Sequence, residues 1–335
     1  MRFYDRKAEL AQLERRREIA FSDHSQMTVL TGRRRIGKTM LIRKSCEGTT
    51  MVYLFVSRGN EAMLCNGFAK VINETLKNVF VPGNIESFAD VFEMLMRAGR
   101  TEKFNLVIDE FQEFFYINPT LYSKIQDIWD RYKDSTHVFF VASGSVYTLM
   151  TRIFQDAREP LYGRCDSIIK LKPFTTDVLK EVLADHKPDY TKEDLLALYT
   201  FTGGVPKYVD LFMQNRCTDV EVMIDYMVQP DSPFLDEGNA LLIQEFGRKY
   251  GNYFAVLADI ACGRNTLSEL GKSMGETNIA GHIRRLEEDY ELIAKKRPIF
   301  AKEGTQTVRF EIADLFLRFW FRYFIKYRSL VELAN

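Results

Sequence analysis

Apolar positions along the chain switch between two periods. Residues 27–31, 51–56, 106–108, 138–142 and 167–171 are short aliphatic or β-branched runs and read as buried strands. Between them lie charged stretches with apolar residues every third or fourth position. These are 8–21, carrying Leu10, Leu13, Ile19 and Ala20, then 40–46, 61–79, 87–97 with Phe88, Val91, Phe92 and Leu95 on one face, and 120–132. They read as helices. Strands alternating with helices predict an α/β fold whose parallel sheet is closed by right-handed crossovers.

Beyond residue 172 the pattern turns helical. It runs from 174 to 228 and is broken at Gly203-Gly204-Val205-Pro206, which reads either as a helix start held against something close or as a plain helix-helix turn. Helical stretches at 254–261, 266–273 and 278–288 are then followed by strand-like 292–297 and 308–312, the order of a winged helix. Its third helix offers Asn278, His282, Arg284 and Arg285, and the wing offers Lys295, Lys296 and Arg297, residues suited to duplex DNA. Glu287, Glu288, Asp289 and Glu291 stand beside them and would repel phosphate, so packing against the rest of the chain or a partner protein is the competing expectation. The apolar run 310–324 contains Glu311, Asp314, Arg318 and Arg322, which argues against a membrane span. The predicted organisation is an α/β domain over 1–172, a helical domain over 173–250, a winged helix over 251–312 and an aromatic helix over 313–335.

At 335 residues the chain is long enough for more than one core. Lys plus Arg and Asp plus Glu each number 46, so no global field draws it to nucleic acid or an anionic membrane. Cys46, Cys65, Cys165, Cys217 and Cys262 are scattered and the histidines are not grouped with them, which argues against zinc and disulfides and for a reducing compartment. The charged start Met1-Arg2-Phe3-Tyr4-Asp5-Arg6-Lys7 lacks a signal-peptide core, and the expected location is the cytoplasm.

Chemistry enters at Gly32-Arg33-Arg34-Arg35-Ile36-Gly37-Lys38-Thr39, which follows a strand and, with Met40, opens a helix. That is the context of a phosphate-binding loop: the glycines allow the backbone to curl its N–H groups around an anion, and the helix start favours negative charge. Lys38 would meet the β- and γ-phosphates, and the Thr39 hydroxyl would complete the coordination of a Mg2+ ion. Asp109-Glu110 ends an apolar strand about seventy residues later. Asp109 is expected to hold the metal and Glu110 to polarise a water for attack on the γ-phosphate. Ser145, at the tip of another strand, would either contact the γ-phosphate or attacking water or cap the helix that follows. Arg164, or Arg158 upstream, would bring a positive charge to the γ-phosphate from within the chain or from a neighbour.

These residues resemble the archaeal-type ATPase family, P-loop proteins related to the AAA+ and STAND groups. The resemblance rests on Phe3-Tyr4-Asp5-Arg6, the triple-arginine phosphate loop, Ser57-Arg58-Gly59-Asn60-Glu61, Ile108-Asp109-Glu110-Phe111-Gln112, Gly144-Ser145, Pro160-Leu161-Tyr162-Gly163-Arg164, Gly203-Gly204-Val205-Pro206-Lys207-Tyr208 and Phe316-Leu317-Arg318-Phe319-Trp320-Phe321. It implies ATP and Mg2+ as ligands, a helical lid that brings Pro206 near the adenine, a terminal winged helix, and a stronger case for Arg164. Members usually continue into a nuclease-like domain, which this chain does not reach, so Phe316, Phe319, Trp320, Phe321, Tyr323 and Phe324 are expected either partly uncovered or packed into their own core. The function predicted is a slow ATPase that acts as a nucleotide-controlled switch. The alternatives are an ATP-gated DNA-binding regulator and a protein-interaction module that binds nucleotide without turnover.

Overall fold

The computed structural model describes residues 2–145, 147–247, 250–275, 279–297 and 308–327. They form two compact units. One is residues 6–172, and the other combines residues 2–5 with the chain from 173 onward.

In the first unit the elements run α1 (Lys7–Ser22), β1 (Gln26–Thr31), α2 (Lys38–Ser45), β2 (Met51–Phe55), α3 (Glu61–Thr75), α4 (Phe88–Ala98), β3 (Phe104–Asp109), the short α5 (Phe114–Ile117), α6 (Leu121–Tyr132), β4 (Val138–Gly144), α7 (Tyr147–Gln155) and β5 (Ser167–Lys170). The strands make one five-stranded sheet in the order β2-β3-β4-β1-β5, every neighbour parallel. β1, β3 and β4 are buried along their whole length, as a central parallel strand covered on both faces must be. Met27, Val29, Leu106, Ile108 and Phe140 pack with Phe68, Phe92 and Trp129 from α3, α4 and α6. Helices α1 and α2 lie together, and α1 packs on β1 and β4.

Helix α3 stops at Thr75, short of the residue 79 that apolar periodicity suggests. Leu76 is extended, and the Asn73 amide makes a pair of hydrogen bonds with the Val81 backbone, accepting from its N–H at 2.8 Å and donating to its carbonyl at 2.9 Å. A side chain that satisfies both backbone groups of a loop residue stabilises the turn over continued helix.

The second unit contains α8 (Thr176–His186), α9 (Lys192–Thr202), α10 (Pro206–Gln214), α11 (Val220–Val228), α12 (Pro233–Phe246), α13 (Tyr250–Ala261), α14 (Leu267–Met274) and α15 (Ala280–Arg284), the last widening into a π-helical turn over Arg285–Asp289. An antiparallel pair follows, β6 (Ile293–Lys296) with β7 (Arg309–Ile312), and then α16 (Leu315–Trp320), which ends in a π-helical turn over Phe321–Ile325. Helix α12 has no counterpart in the pattern reading, although Ser232 caps it and Pro233 occupies its first turn. Asn278 lies outside the described residues.

The aromatic run is a core element. Phe316, Trp320, Phe321 and Phe324 are buried, whereas Tyr323 stays exposed. The Trp320 indole N–H donates to the carbonyls of Phe234 at 2.9 Å and Leu235 at 3.2 Å, and a Cβ at Gly238 would sit 2.3 Å from its ring. The Gly203-Gly204 pair is also a packing device. Gly204 (φ +74°) leaves no room for a Cβ, which would stand 2.4 Å from the Phe174 carbonyl oxygen, while Phe174 N–H donates to the Gly204 carbonyl at 2.8 Å. Gly203 lies close to the start of α16, 3.0 Å from Phe316 N for the same imagined atom.

Candidate functional site

Parallel strands place their carboxyl ends along one edge of the sheet, where ligands sit in open α/β folds. β1 ends at Thr31 opposite Gly144 of β4, and the glycine loop leaves from there into α2. Gly32 (φ +150°) and Gly37 (φ +92°) hold backbone conformations that side chains resist, and a Cβ on Gly32 would fall 3.0 Å from the Leu171 carbonyl oxygen. Arg35 also has a positive φ of 69°. Ile36 is fully buried and anchors the loop, Arg33, Arg34 and Arg35 are partly buried, and Met40 is exposed. Lys38 is buried, and its ammonium donates to the carbonyls of Gly32 at 2.8 Å and Arg33 at 3.1 Å. Those bonds span the loop and hold a cation within it.

Asp109 is the last residue of β3, and the structure brings it to Thr39: the Thr39 hydroxyl donates to Asp109 Oδ2 at 3.2 Å. The same oxygen receives the Tyr53 hydroxyl from β2 at 2.5 Å, and Asp109 Oδ1 receives the Glu110 N–H at 3.0 Å. Burial, reinforced by the hydrogen bond to Asp109, pushes the Tyr53 phenol well above its ordinary pKa, so it remains a donor. Glu110 has φ +54°, a conformation kept by what flanks it: Phe111 is fully buried among Phe114, Tyr122, Phe140 and Phe154. Glu110 Oε2 accepts from Gln112 Nε2 at 2.5 Å and from the Ser145 hydroxyl at 2.7 Å. Gln112 is buried beside Gly144, where a Cβ would stand 2.4 Å from its amide oxygen, so a glycine there makes room for the amide.

Thr39, Asp109, Glu110 and Ser145 are thus joined through hydrogen bonds at the ends of adjacent strands, and Lys38 lies in the neighbouring loop. Arg164 is not among them. Its guanidinium pairs with Asp130 of α6 at 3.0 Å, and Asp166 is hydrogen-bonded to Met27 at the amino end of β1. Arg164 therefore stands at the opposite edge of the sheet from Gly32, roughly 15–20 Å away for a six-residue strand. This corrects the expectation that it serves the phosphates of its own chain. Arg158 is exposed and pairs with Asp156. Pro206 belongs to the second unit, in the first turn of α10. Tyr53 lies in no motif, and Gln112 lies in the Ile108–Gln112 motif without its contact to Glu110 being anticipated.

Among the described residues no three His, Cys, Asp or Glu cluster as a metal cage. One hydroxyl and one carboxylate are the donors that a Mg2+ ion takes when phosphates and waters supply its other ligands, so Thr39 and Asp109 fit that ion. A glycine loop leading from a parallel strand into a helix, with an Asp-Glu pair one strand beyond its neighbour, defines a P-loop ATPase fold. Residues 3–212 match the model of a family described as an ATPase domain predominantly from Archaea, and the chain belongs to that family.

An uncharacterized protein of Methanocaldococcus jannaschii, MJECL04, is 28% identical over 332 residues, covering 98% of this chain and 70% of its own length. The fold is similar to the Walker-type ATPase PABY2304 of Pyrococcus abyssi, with a TM-score of 0.71, 19% identity, and 96% of each chain covered. It is also similar to the ORC2 protein of Aeropyrum pernix, solved in ADPNP–ADP complexes, with a TM-score of 0.62, 13% identity, and 98% of this chain and 95% of that one covered. No described helix is long and apolar enough to cross a membrane.

Proposed function

We propose that the chain binds Mg-ATP on its glycine loop, hydrolyses it slowly and acts as a nucleotide-controlled switch. The observation that carries this reading is the linked set Thr39–Asp109 and Glu110–Ser145 at the carboxyl edge of the sheet. Bound Mg2+ would supply charge neutralisation on the phosphates. Thr39 and Asp109 would hold it, Lys38 would place positive charge at the phosphate oxygens, and the loop backbone from Gly32 to Gly37 would orient them. Glu110 keeps one carboxylate oxygen on Gln112 and Ser145, and the other would take a proton from an attacking water. Ser145 steers that carboxylate. The complexes of the Aeropyrum pernix ORC2 protein are consistent with an adenine nucleotide as ligand.

The readout we favour is a protein contact through a C-terminal winged helix. Three of its cations are paired with carboxylates of the chain: Arg284 with Glu288 at 2.7 Å, Lys295 with Glu287 at 2.5 Å and Lys296 with Glu311 at 2.9 Å, while Arg285 donates to the Tyr253 hydroxyl at 3.4 Å. Paired cations release fewer counterions on meeting DNA, which weakens the salt-dependent part of duplex binding.

The test is steady-state ATP turnover of the chain beside Glu110→Gln, with Mg2+, with and without duplex DNA. Turnover that disappears in the variant while ATP binding persists is expected. DNA-stimulated turnover would replace the protein-contact readout with the regulator reading, and ATP binding with no turnover would remove the catalytic role of Glu110.

A further inference from the structure

Tyr53 stands on the edge strand β2, whose Val52 and Leu54 point into the core while Tyr53 faces the opposite side of the sheet. Its hydroxyl reaches across to Asp109 Oδ2 at 2.5 Å, the oxygen that also receives the Thr39 hydroxyl at 3.2 Å. Each carboxylate oxygen has about two lone-pair sites. Oδ2 is therefore filled by Tyr53 and Thr39, and Oδ1 spends one site on the Glu110 N–H at 3.0 Å. One acceptor site remains, and its direction is set because the carboxylate is gripped on both oxygens. Thr39 is constrained by the same contact. A hydroxyl that turns a lone pair toward a cation must send its single proton elsewhere, and that of Thr39 goes to Asp109.

From this geometry we infer that Tyr53 is a positioning residue for the divalent cation, its hydroxyl locking Asp109 so that Oδ2 takes the Thr39 proton and the remaining Oδ1 site keeps a fixed direction in which it would serve the cation. The inference rests on the reading of Thr39 and Asp109 as the metal corner. The phenol acts only through Asp109. A phenylalanine at 53 keeps the ring and its packing and removes the one polar atom, so the variant isolates the hydroxyl from the fold.

The experiment is calorimetric titration of the full chain with ATP, in EDTA and over a Mg2+ series, for the unaltered protein and Tyr53→Phe. Loss of a partner that orients a metal ligand lowers metal affinity by about 10- to 100-fold. The expected result is a half-saturating Mg2+ concentration at least about tenfold higher in Tyr53→Phe, with ATP affinity in EDTA unchanged. Equal or lower half-saturation in the variant overturns the inference. So does a variant that loses ATP affinity in EDTA as well, because the role is then structural. If ATP affinity of the unaltered protein does not respond to Mg2+, the metal corner itself fails, an outcome visible before any variant is made.

Discussion

Gly204→Ala should destabilise the second unit by about 2–4 kcal/mol, the sum of two separable costs. A φ of +74° costs an L-residue about 1–2 kcal/mol. The added Cβ would lie 2.4 Å from the Phe174 carbonyl oxygen, a backbone atom, so the segment carrying the 2.8 Å bond from Phe174 N–H to the Gly204 carbonyl must move. Overpacking and a weakened hydrogen bond add roughly 1–2 kcal/mol. Gly275→Ala is the control: its φ is +62°, but a Cβ there meets nothing within 4 Å, so it should cost only about 1 kcal/mol. The chain has two tryptophans, Trp129 buried in the first unit and Trp320 buried in the second. Urea denaturation followed by fluorescence in a Trp129→Phe background therefore reports on Trp320 alone. With a slope of about 1–3 kcal/mol per molar urea, Gly204→Ala should lower the Trp320 midpoint by about 1–2 M. A midpoint equal to that of Gly275→Ala would refute the close approach to Phe174.

Other outcomes follow from the same contacts. Asp194 is buried, which by itself raises its pKa, but the Lys187 ammonium at 2.8 Å and the Thr191 backbone and hydroxyl hold it down to about 2. A carboxylate depressed below its ordinary value of about 4 stabilises the fold above that pH and loses its contribution as pH falls toward 2, so Asp194→Asn should flatten the stability profile in that window when unfolding is followed against pH. Lys38→Ala should weaken ATP binding by at least about tenfold in equilibrium titration, since it removes the buried cation of the loop. Ser145→Ala should slow turnover by about tenfold while leaving ATP affinity within twofold, because the hydroxyl touches Glu110 rather than the glycine loop; an equal loss in affinity would show a different role.

The phosphate loop and the acidic doublet were legible in one dimension because both depend on local requirements. Gly32 and Gly37 are needed where φ is positive, and Asp109 lies at the tip of an apolar strand. What links them was not legible. Tyr53 shares a face with Met51 and Phe55 on an edge strand and looks like ordinary strand filling until the register sets Phe55 opposite Asp109. Gln112 reads as a polar residue after a strand, yet it is buried against Gly144 because Phe111 and Phe114 pull the chain inward around it. The within-chain role of Arg164 was misleading for the converse reason, its supply from a neighbour being a separate expectation: residue type and motif carry no information on which edge of the sheet a turn occupies, and Asp130 supplies its counter-charge at the far one. The Gly203-Gly204 pair announced its backbone need but not its partners, since Phe174 and Phe316 come from distant sequence.

The unit that contains α8 is discontinuous, because residues 2–5 belong to it and residues 6–172 do not. Tyr4 is buried in its core and its hydroxyl donates to Asp185 at 2.9 Å, a partner 181 residues away. Arg6 holds the return of the chain by donating to the Lys172 carbonyl at 2.6 Å, so the outgoing and incoming passages are fastened side by side. At roughly 5–20 residues per second, a ribosome delivers Asp185 about 10–35 s after Tyr4 has been made. During that interval the first unit can complete its sheet while the opening residues wait, and the second unit closes around them only after its own helices emerge. Birth order and spatial order therefore diverge: residues 2–5 are made ahead of the first unit and settle with the second.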